Sequence, residues 1–209
     1  MKIEIKRDFR PSKIVCVGRN YAEHAAELGN EMPSAPLLFL KAPSAVIFDG
    51  DAIELPSASE RVEHEGELAV VIGQTAKDIG DDEDIAPYIR GYTCLNDVTA
   101  RDIQRADVQF TRGKSFDTFC PIGPWIETEL DPTDIGVTVR VNGDLRQQGR
   151  TSQMTFPVDY LVRYISRHMT LIPGDIIATG TPSGVGPLKP GDTVTVEIEG
   201  IGTLTNICE

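Results

Sequence analysis

Glutamates occupy every second position in one short stretch of the chain, directly before a run of apolar residues. Glu63, Glu65 and Glu67 alternate within RVEHEGELAVVIG, and residues 68–72 are all apolar. Alternate side chains of a β-strand share one face, which puts the Cα atoms of Glu65 and Glu67 about 6.5 Å apart. Carboxylates this close repel one another once they leave water. A shared proton, a basic side chain or a bound cation is therefore needed to relieve the repulsion between these carboxylates.

Asp97 supplies a further carboxylate at the end of another predicted strand. It closes YTCLND and precedes the predicted helix ARDIQRAD, at a corner suited to lining a site. Together with Glu65 and Glu67 it would form an all-oxygen ligand set, which Mg²⁺ and Mn²⁺ prefer and zinc does not. A strand with salt bridges to Arg61 and Arg101 accounts for the same spacing, and the spacing alone does not separate the two interpretations.

A possible general base lies on the predicted helix GRNYAEHAAELG. His24 and Glu27 are three residues apart, so they are neighbours on a helix surface. A histidine oriented by a carboxylate is the arrangement that a general base needs. A surface ion pair or a core histidine explains the spacing as well, and the pattern taken by itself favours that simpler explanation.

The composition limits the classes of function. The net charge of -12 argues against binding nucleic acid or an anionic membrane surface, both of which need a basic footprint. No apolar stretch approaches the roughly 20 residues that span a bilayer, and residues 1–13 lack the apolar core of a signal peptide. The four cysteines form no CxxC pair. We therefore expect a cytoplasmic protein.

Turn and strand signals predict an α+β fold that is mostly β, with a few short helices. Asn142-Gly143 predicts a hairpin turn between two alternating stretches. Residues 156–168 carry the apolar stripe of an amphipathic helix, and Thr99 with Asp102 predicts a capping box for the helix after Asp97. Because no flexible linker or long repeat interrupts the chain, we expect residues 1–209 to form a single domain.

Six stretches, in order along the chain, carry a resemblance to a known family. They are CVGRNYAEHAAELGN, PLLFLKAPSAV, VEHEGELAVVIG, YTCLNDVTARDIQ, GKSFDTFCPIGPWI and DIIATGTPSGVG. They lie within residues 14–186 and resemble the fumarylacetoacetate hydrolase family, in its short acylpyruvase-like branch. One such motif is weak, whereas six in order are specific. The resemblance implies a mixed β-sandwich roll around the site, and a homodimer.

The resemblance also implies which residues form the site. A Mg²⁺ or Mn²⁺ ion is expected on Glu65, Glu67 and Asp97, which makes a cation the answer to the converging carboxylates. His24 and Glu27 are expected to form the catalytic pair of the family.

Four further positions match the family's motifs. Lys114 is expected beside the metal as a catalytic residue, and Thr118 close to the metal ligands without binding the ion. Arg19 and Thr181 are expected to contact the carboxylate of the substrate.

The resemblance implies chemistry on a small 2-oxo acid, and these residue types are consistent with it. An electrophilic metal with a nearby lysine stabilises the enolate that forms when a group leaves C3. We predict a hydrolase that cleaves acylpyruvates, such as fumarylpyruvate or acetylpyruvate, into pyruvate and a carboxylic acid. The alternatives are an oxaloacetate decarboxylase or tautomerase, or a 2-hydroxyhepta-2,4-diene-1,7-dioate isomerase. A non-enzymatic alternative is a β-rich interaction module with a structural cation.

Overall fold

The computed structural model of the protein describes residues 1–209, which form sixteen β-strands and four α-helices. The strands are β1 (Lys2–Glu4), β2 (Ile14–Gly18), β3 (Leu37–Lys41), β4 (Val46–Phe48), β5 (Ala52–Ile53), β6 (Val62–His64), β7 (Gly66–Ile72), β8 (Ile89–Asn96), β9 (Thr99–Ala100), β10 (Cys120–Glu127), β11 (Gly136–Val141), β12 (Asp144–Arg150), β13 (Ile176–Ala178), β14 (Gly186–Pro187), β15 (Thr193–Ile198) and β16 (Gly202–Cys208). The helices are α1 (Ala22–Glu27), α2 (Arg101–Ala106), α3 (Thr111–Lys114) and α4 (Val158–His168). The predicted α+β fold, mostly β with short helices, is confirmed.

The strands assemble into three sheets that mix parallel and antiparallel pairs. The largest has eight strands in the order β1-β10-β8-β7-β13-β2-β3, with β4 beside β10. A five-stranded sheet has the order β12-β11-β15-β16-β5, and a small sheet has the order β14-β6-β9. Strand β7 lies inside the largest sheet, and every one of its residues is buried. Its apolar run is thus explained by burial on both faces.

The predicted acidic strand is divided in two at Glu65. Strand β6 pairs with β9 and β14 in the small sheet, whereas β7 pairs with β8 and β13 in the large one. The N–H of Glu65 donates to the Asn96 side chain (2.9 Å), and its carbonyl accepts from the N–H of Asp97 (2.8 Å). This crossing between sheets brings Asp97 beside Glu65.

Two local predictions are confirmed. The hairpin of β11 and β12 turns at Asn142 and Gly143, whose φ angles of 54° and 85° are the left-handed pair that a type I′ turn requires. Helix α4 buries its apolar stripe against a core of 45 residues. The stripe consists of Val158, Leu161, Val162 and Ile165. No helix of the chain has both the length and the apolar composition needed to cross a membrane.

The predicted capping box is wrong. Thr99 lies in β9 and donates its hydroxyl hydrogen to the carbonyl of Asp97, while Ala100 occupies the N-cap of α2. Asp102 accepts instead from the Ser59 hydroxyl (2.6 Å). Thr99 is therefore part of a long-range strand pairing and Asp102 binds a loop, so neither side chain caps the helix as the local pattern predicted.

Asp175 links the N-terminal end of β2 to the N-terminal end of β13 through hydrogen bonds. Its buried carboxylate accepts from the backbone N–H of Ser12 (3.0 Å), the Ser12 hydroxyl (2.6 Å), Lys13 Nζ (2.5 Å) and the N–H of Ile172 (2.8 Å). Burial alone would raise the pKa of Asp175, but these donors outweigh it and hold that pKa below its ordinary value. The ionised carboxylate therefore stabilises the native state.

We predict that Asp175→Asn lowers the free energy of unfolding by about 2 kcal/mol at pH 7, the scale of hydrogen bonds to a charged group. Because the pKa of Asp175 is lower in the native state, its stabilisation is present above the ordinary pKa of 3.8 and is lost as pH falls through the lowered value. Urea unfolding at pH 7 and in acid measures this, with the exposed Asp144→Asn as the control. Equal stability of wild type and Asp175→Asn at pH 7 would contradict the assignment.

Candidate active site

Three buried carboxylates converge where the large and small sheets meet. Glu65, Glu67 and Asp97 each offer an oxygen atom, and these atoms lie within 4.8 Å of one another. Glu65 is the residue that joins β6 to β7, Glu67 lies on β7, and Asp97 follows β8. The structure thus brings together the three residues that the acidic pattern and the strand end predicted.

Two lysines neutralise Asp97. Nζ of Lys41 donates to Asp97 Oδ1 (2.7 Å), and Nζ of Lys114 donates to Asp97 Oδ2 (2.6 Å) and to Glu65 Oε2 (2.8 Å). Both lysines are fully buried. Sequence reasoning missed Lys41, although a single lysine at the end of the apolar stretch PLLFLK was a signal of a buried partner.

Arginines neutralise the carboxylate of Glu63 and contact one oxygen of Glu65. Arg101 donates from Nε to Glu63 Oε2 (2.7 Å) and from Nη2 to Glu65 Oε1 (2.5 Å), and Arg61 donates to Glu63 Oε1 (2.5 Å). Burial would raise the pKa of Glu65, but the charges of Lys114 and Arg101 outweigh it and hold that pKa well below its usual range. Salt bridges to arginine therefore explain Glu63 fully and Glu65 in part, and Glu63 stays outside the converging set.

Glu67 is the one carboxylate of the set that no basic side chain contacts. Its Oε2 accepts only the backbone N–H of Gly180 (2.7 Å). Burial, together with the nearby charges of Asp97 and Glu65, raises the pKa of Glu67 well above its ordinary value. A divalent cation would hold Glu67 ionised, and three carboxylate oxygens at this spacing fit a hard ion such as Mg²⁺ or Mn²⁺.

Lys114 is a fixed positive charge in this site. Burial would lower the pKa of its ammonium group, but Asp97 and Glu65 outweigh burial and raise that pKa above its ordinary value. The Nζ atom also lies 5.0 Å from the ring centroid of Phe39, a cation–π contact. An amine held protonated in this way is a source of charge rather than a nucleophile.

A cavity of about 280 Å³ opens onto the carboxylates. Its wall includes Arg19, His24, Lys114 and Thr181, four of the residues predicted to contact substrate or to act in catalysis. The cavity has the size of a small-molecule site and is lined mainly by polar groups. It therefore suits a small, charged ligand.

The predicted pair on α1 is in contact. Nδ1 of His24 lies 3.4 Å from Glu27 Oε2, and His24 is buried while lining the cavity. Both carboxylate oxygens of Glu27 also accept the backbone N–H of Gly184 at 3.1 Å, which fixes the carboxylate. Glu27 is not among the residues that line the cavity, and its contact with Nδ1 orients the ring of His24.

The remaining predicted residues divide into two groups. Arg19 has a left-handed backbone (φ 58°), and its guanidinium forms no hydrogen bond or ion pair within the protein, so it is free to bind an anion in the cavity. Thr181 also lines the cavity. Thr118 does not: its hydroxyl accepts the backbone N–H of Glu54 (2.9 Å), and the structure does not bring it to the carboxylates.

Comparisons with known proteins agree on one family. Residues 13–208 match the family described as "Fumarylacetoacetate (FAA) hydrolase C-terminal". The mitochondrial oxaloacetate decarboxylase of Dictyostelium discoideum is 46% identical over 198 residues, covering 91% of this chain and 90% of that protein. The oxaloacetate tautomerase YisK of Bacillus subtilis is 44% identical over 211 residues, covering 94% of this chain and 70% of that protein.

The fold agrees with the same family. The crystal structure of 2-hydroxyhepta-2,4-diene-1,7-dioate isomerase from Mycobacterium marinum matches with a TM-score of 0.88 and 48% sequence identity, over 96% of this chain and 75% of that one. A match that spans nearly the whole chain, in both sequence and structure, confirms the predicted family. The chain belongs to the fumarylacetoacetate hydrolase family.

Proposed function

We propose that the protein is a metal-dependent enzyme that acts on a 2-oxo dicarboxylic acid such as oxaloacetate through an enolate, and so tautomerises or decarboxylates it. The buried acidic cluster, in which Glu67 lacks a basic partner, is the observation that carries this proposal. The names of the relatives support this alternative better than the predicted hydrolysis of acylpyruvates.

The proposal assigns Mg²⁺ or Mn²⁺ to the three converging carboxylates, Glu65, Glu67 and Asp97. When bound, such an ion supplies a Lewis acid for the neighbouring oxygens of a 2-oxo acid. Lys41 holds Asp97 and Arg101 holds Glu65 in place, so that the ligand oxygens would be oriented before the ion binds.

The side chains of the cavity have separate roles in this proposal. Arg19 pairs with a carboxylate of the substrate, because its guanidinium is not used within the protein. Lys114 stabilises the negative charge that develops on the enolate oxygen. His24 removes a proton from C3 and returns it to oxygen in tautomerisation, while Glu27 stabilises the imidazolium formed in between.

Decarboxylation also passes through an enolate, but a different bond breaks and a different enolate forms. The C3–carboxylate bond breaks, its electrons form the enolate of pyruvate, and CO₂ leaves. A proton is then added at C3 to give pyruvate. This route depends on the charge of Lys114 and less on a base, because no proton is removed before the bond breaks.

Hydrolysis of an acylpyruvate is the second candidate, and the contact between His24 and Glu27 favours it. Attack of water on the distal carbonyl needs a base, and an oriented histidine in the cavity wall provides one. The products would be pyruvate and a carboxylic acid, with the enolate of pyruvate as the leaving group.

A substrate panel tests the two candidates directly. Purified protein in Mg²⁺ or Mn²⁺ is expected to convert oxaloacetate, measured as loss of the enol absorbance and as pyruvate formed, and to lose this activity in EDTA. Turnover of acetylpyruvate but not of oxaloacetate would replace the first candidate by the second. If the protein converts neither oxaloacetate nor acetylpyruvate, the non-enzymatic alternative, an interaction module with a structural cation, would be favoured.

We predict that Glu67→Gln weakens Mg²⁺ binding by about tenfold or more, since even residues that only orient a ligand are worth 10- to 100-fold. Calorimetric titration measures the affinity, and Glu63→Gln is the control on the same stretch because Glu63 is paired with arginines. The affinity of wild type should rise with pH, since the raised pKa of Glu67 means that a proton must leave before the ion binds. Unchanged affinity in Glu67→Gln would reject the ligand set.

We predict that His24→Ala slows tautomerisation of oxaloacetate by about 10² to 10⁴, the usual worth of general-base catalysis. Decarboxylation should fall less, and Mg²⁺ affinity should persist, because His24 is not a metal ligand here. The measurement is the ratio of the two rates in wild type and variant at saturating Mg²⁺, with His168→Ala on α4 as the control. Equal loss of both rates would mean that His24 serves a step common to both reactions.

A further inference from the structure

A buried hydrogen-bond network joins the strand of the metal ligands to the loop that carries Thr181. Gln147, on β12 of the five-stranded sheet, lies at its centre and is fully buried. Its Oε1 accepts from the backbone N–H of Gly66 (3.0 Å) and from His64 Nδ1 (3.0 Å). Its Nε2 donates to Thr181 Oγ1 (2.7 Å) and to the carbonyl of Pro182 (2.7 Å). All four hydrogen-bonding positions of the carboxamide are used.

The direction of every bond in this network is fixed by backbone groups. The N–H of Gly66 can only donate and the carbonyl of Pro182 can only accept, so the amide of Gln147 has one possible orientation. The hydroxyl of Thr181 accepts from Gln147 and therefore gives its own hydrogen to the carbonyl of Gly66 (2.8 Å).

The direction of these hydrogen bonds determines which group of Thr181 can donate to a ligand. Its hydroxyl hydrogen is committed to Gly66, so the hydroxyl has no hydrogen left for a substrate carboxylate. The backbone N–H of Thr181 donates to no group of the protein. Since Thr181 lines the cavity, its backbone N–H is the donor that remains.

The loop of Thr181 is tied to the metal ligands at two points. Gly66 lies between Glu65 and Glu67 in the sequence and bonds both Gln147 and Thr181. The N–H of Gly180, the residue before Thr181, donates to Glu67 (2.7 Å). A Cβ at Gly66 would lie 2.2 Å from a methyl group of Val139 on β11, so the five-stranded sheet packs directly on this point.

We propose that Gln147 is a positioning residue, whose carboxamide keeps the Thr181 hydroxyl turned to Gly66 and sets the backbone N–H of Thr181 as the donor for a substrate carboxylate. It thereby fixes the distance between the metal ligands and the carboxylate-binding position. The nature of the ligand, an anionic 2-oxo acid, rests on the proposed function.

Oxalate is the probe for this proposal, because it resembles the enolate of a 2-oxo acid and does not react. Calorimetry measures Mn²⁺ binding alone and then oxalate binding at saturating Mn²⁺. Gln147→Glu keeps the shape and the acceptors for Gly66 and His64 but presents an acceptor to the Pro182 carbonyl. Gln147→Met removes all four bonds. Both variants should bind oxalate about 10- to 100-fold more weakly, the range for residues that orient a binding group, with a smaller change for Mn²⁺.

Two controls separate positioning from loss of stability. Gln148→Met changes the exposed neighbour on the same strand and should bind oxalate like wild type. Asp175→Asn lowers stability away from the site and should also keep its oxalate affinity. If Gln147→Met does not fold, Gln147→Glu carries the test. Oxalate affinity in the folded Gln147 variants equal to that of Asp175→Asn would overturn the proposal.

Thr181→Val tests which group of Thr181 binds the anion. It removes the hydroxyl but keeps the backbone N–H and the bond from Gln147 to Pro182. Oxalate affinity should therefore fall less than in the Gln147 variants. A loss as large as theirs would make the hydroxyl the donor and overturn the proposal.

The failure of this inference and the failure of the proposed function give different results. A wild type that binds Mn²⁺ and oxalate yet converts neither oxaloacetate nor acetylpyruvate refutes the proposed function, while the Gln147 variants still decide the inference. A wild type that converts oxaloacetate, with Gln147 variants that bind oxalate normally, refutes the inference alone. A wild type that neither binds oxalate nor converts oxaloacetate or acetylpyruvate refutes both.

Discussion

The burial of several carboxylates at one point, where two sheets meet, is the constraint on which the rest of the site depends. Each buried carboxylate costs several kcal/mol of hydration unless charge and hydrogen bonds replace the lost water. The chain meets this requirement at three of them with buried lysines and an arginine. Glu67 is left with one backbone N–H. A cation bound beside Glu67 would supply the charge that the protein itself does not provide there.

The strand crossing at Glu65 makes this arrangement possible. A continuous strand would keep its carboxylates on one face of one sheet, beyond reach of most other elements. Division into β6 and β7 lets the cations come from separate elements: Lys41 ends β3, Arg101 begins α2 and Lys114 ends α3. Since the fold holds these three side chains, their positive charge is in place before any ligand binds, which is the preorganisation that electrostatic catalysis requires.

The sequence predicted those parts of the site that depend on local spacing. Alternation indicated the converging carboxylates, helical spacing made His24 and Glu27 neighbours, and the Asn-Gly turn predicted the hairpin. The metal-binding and catalytic roles were expected from the family motifs, since Arg61 and Arg101 offered a salt-bridged strand and the spacing of His24 and Glu27 alone favoured a simpler explanation. Long-range contacts could not be read in this way. Gln147 reaches its partners across 34 to 83 residues, and nothing near it in the sequence indicates that its side chain faces the site.

The charge balance bears on the choice between substrates. The four buried carboxylates and three buried cations of the cluster leave one negative charge once Glu67 is ionised. A divalent ion would turn this into one positive charge, and the guanidinium groups of Arg19 and Arg105 in the cavity wall, which form no ion pair within the protein, would add to it. An excess of positive charge in a confined space favours a ligand with two negative charges over a ligand with one. Oxaloacetate is a dianion at neutral pH, whereas acetylpyruvate carries one carboxylate. With an ion bound, this charge balance would favour a dicarboxylate such as oxaloacetate as the substrate of the proposed reaction, and fumarylpyruvate over acetylpyruvate in a hydrolase.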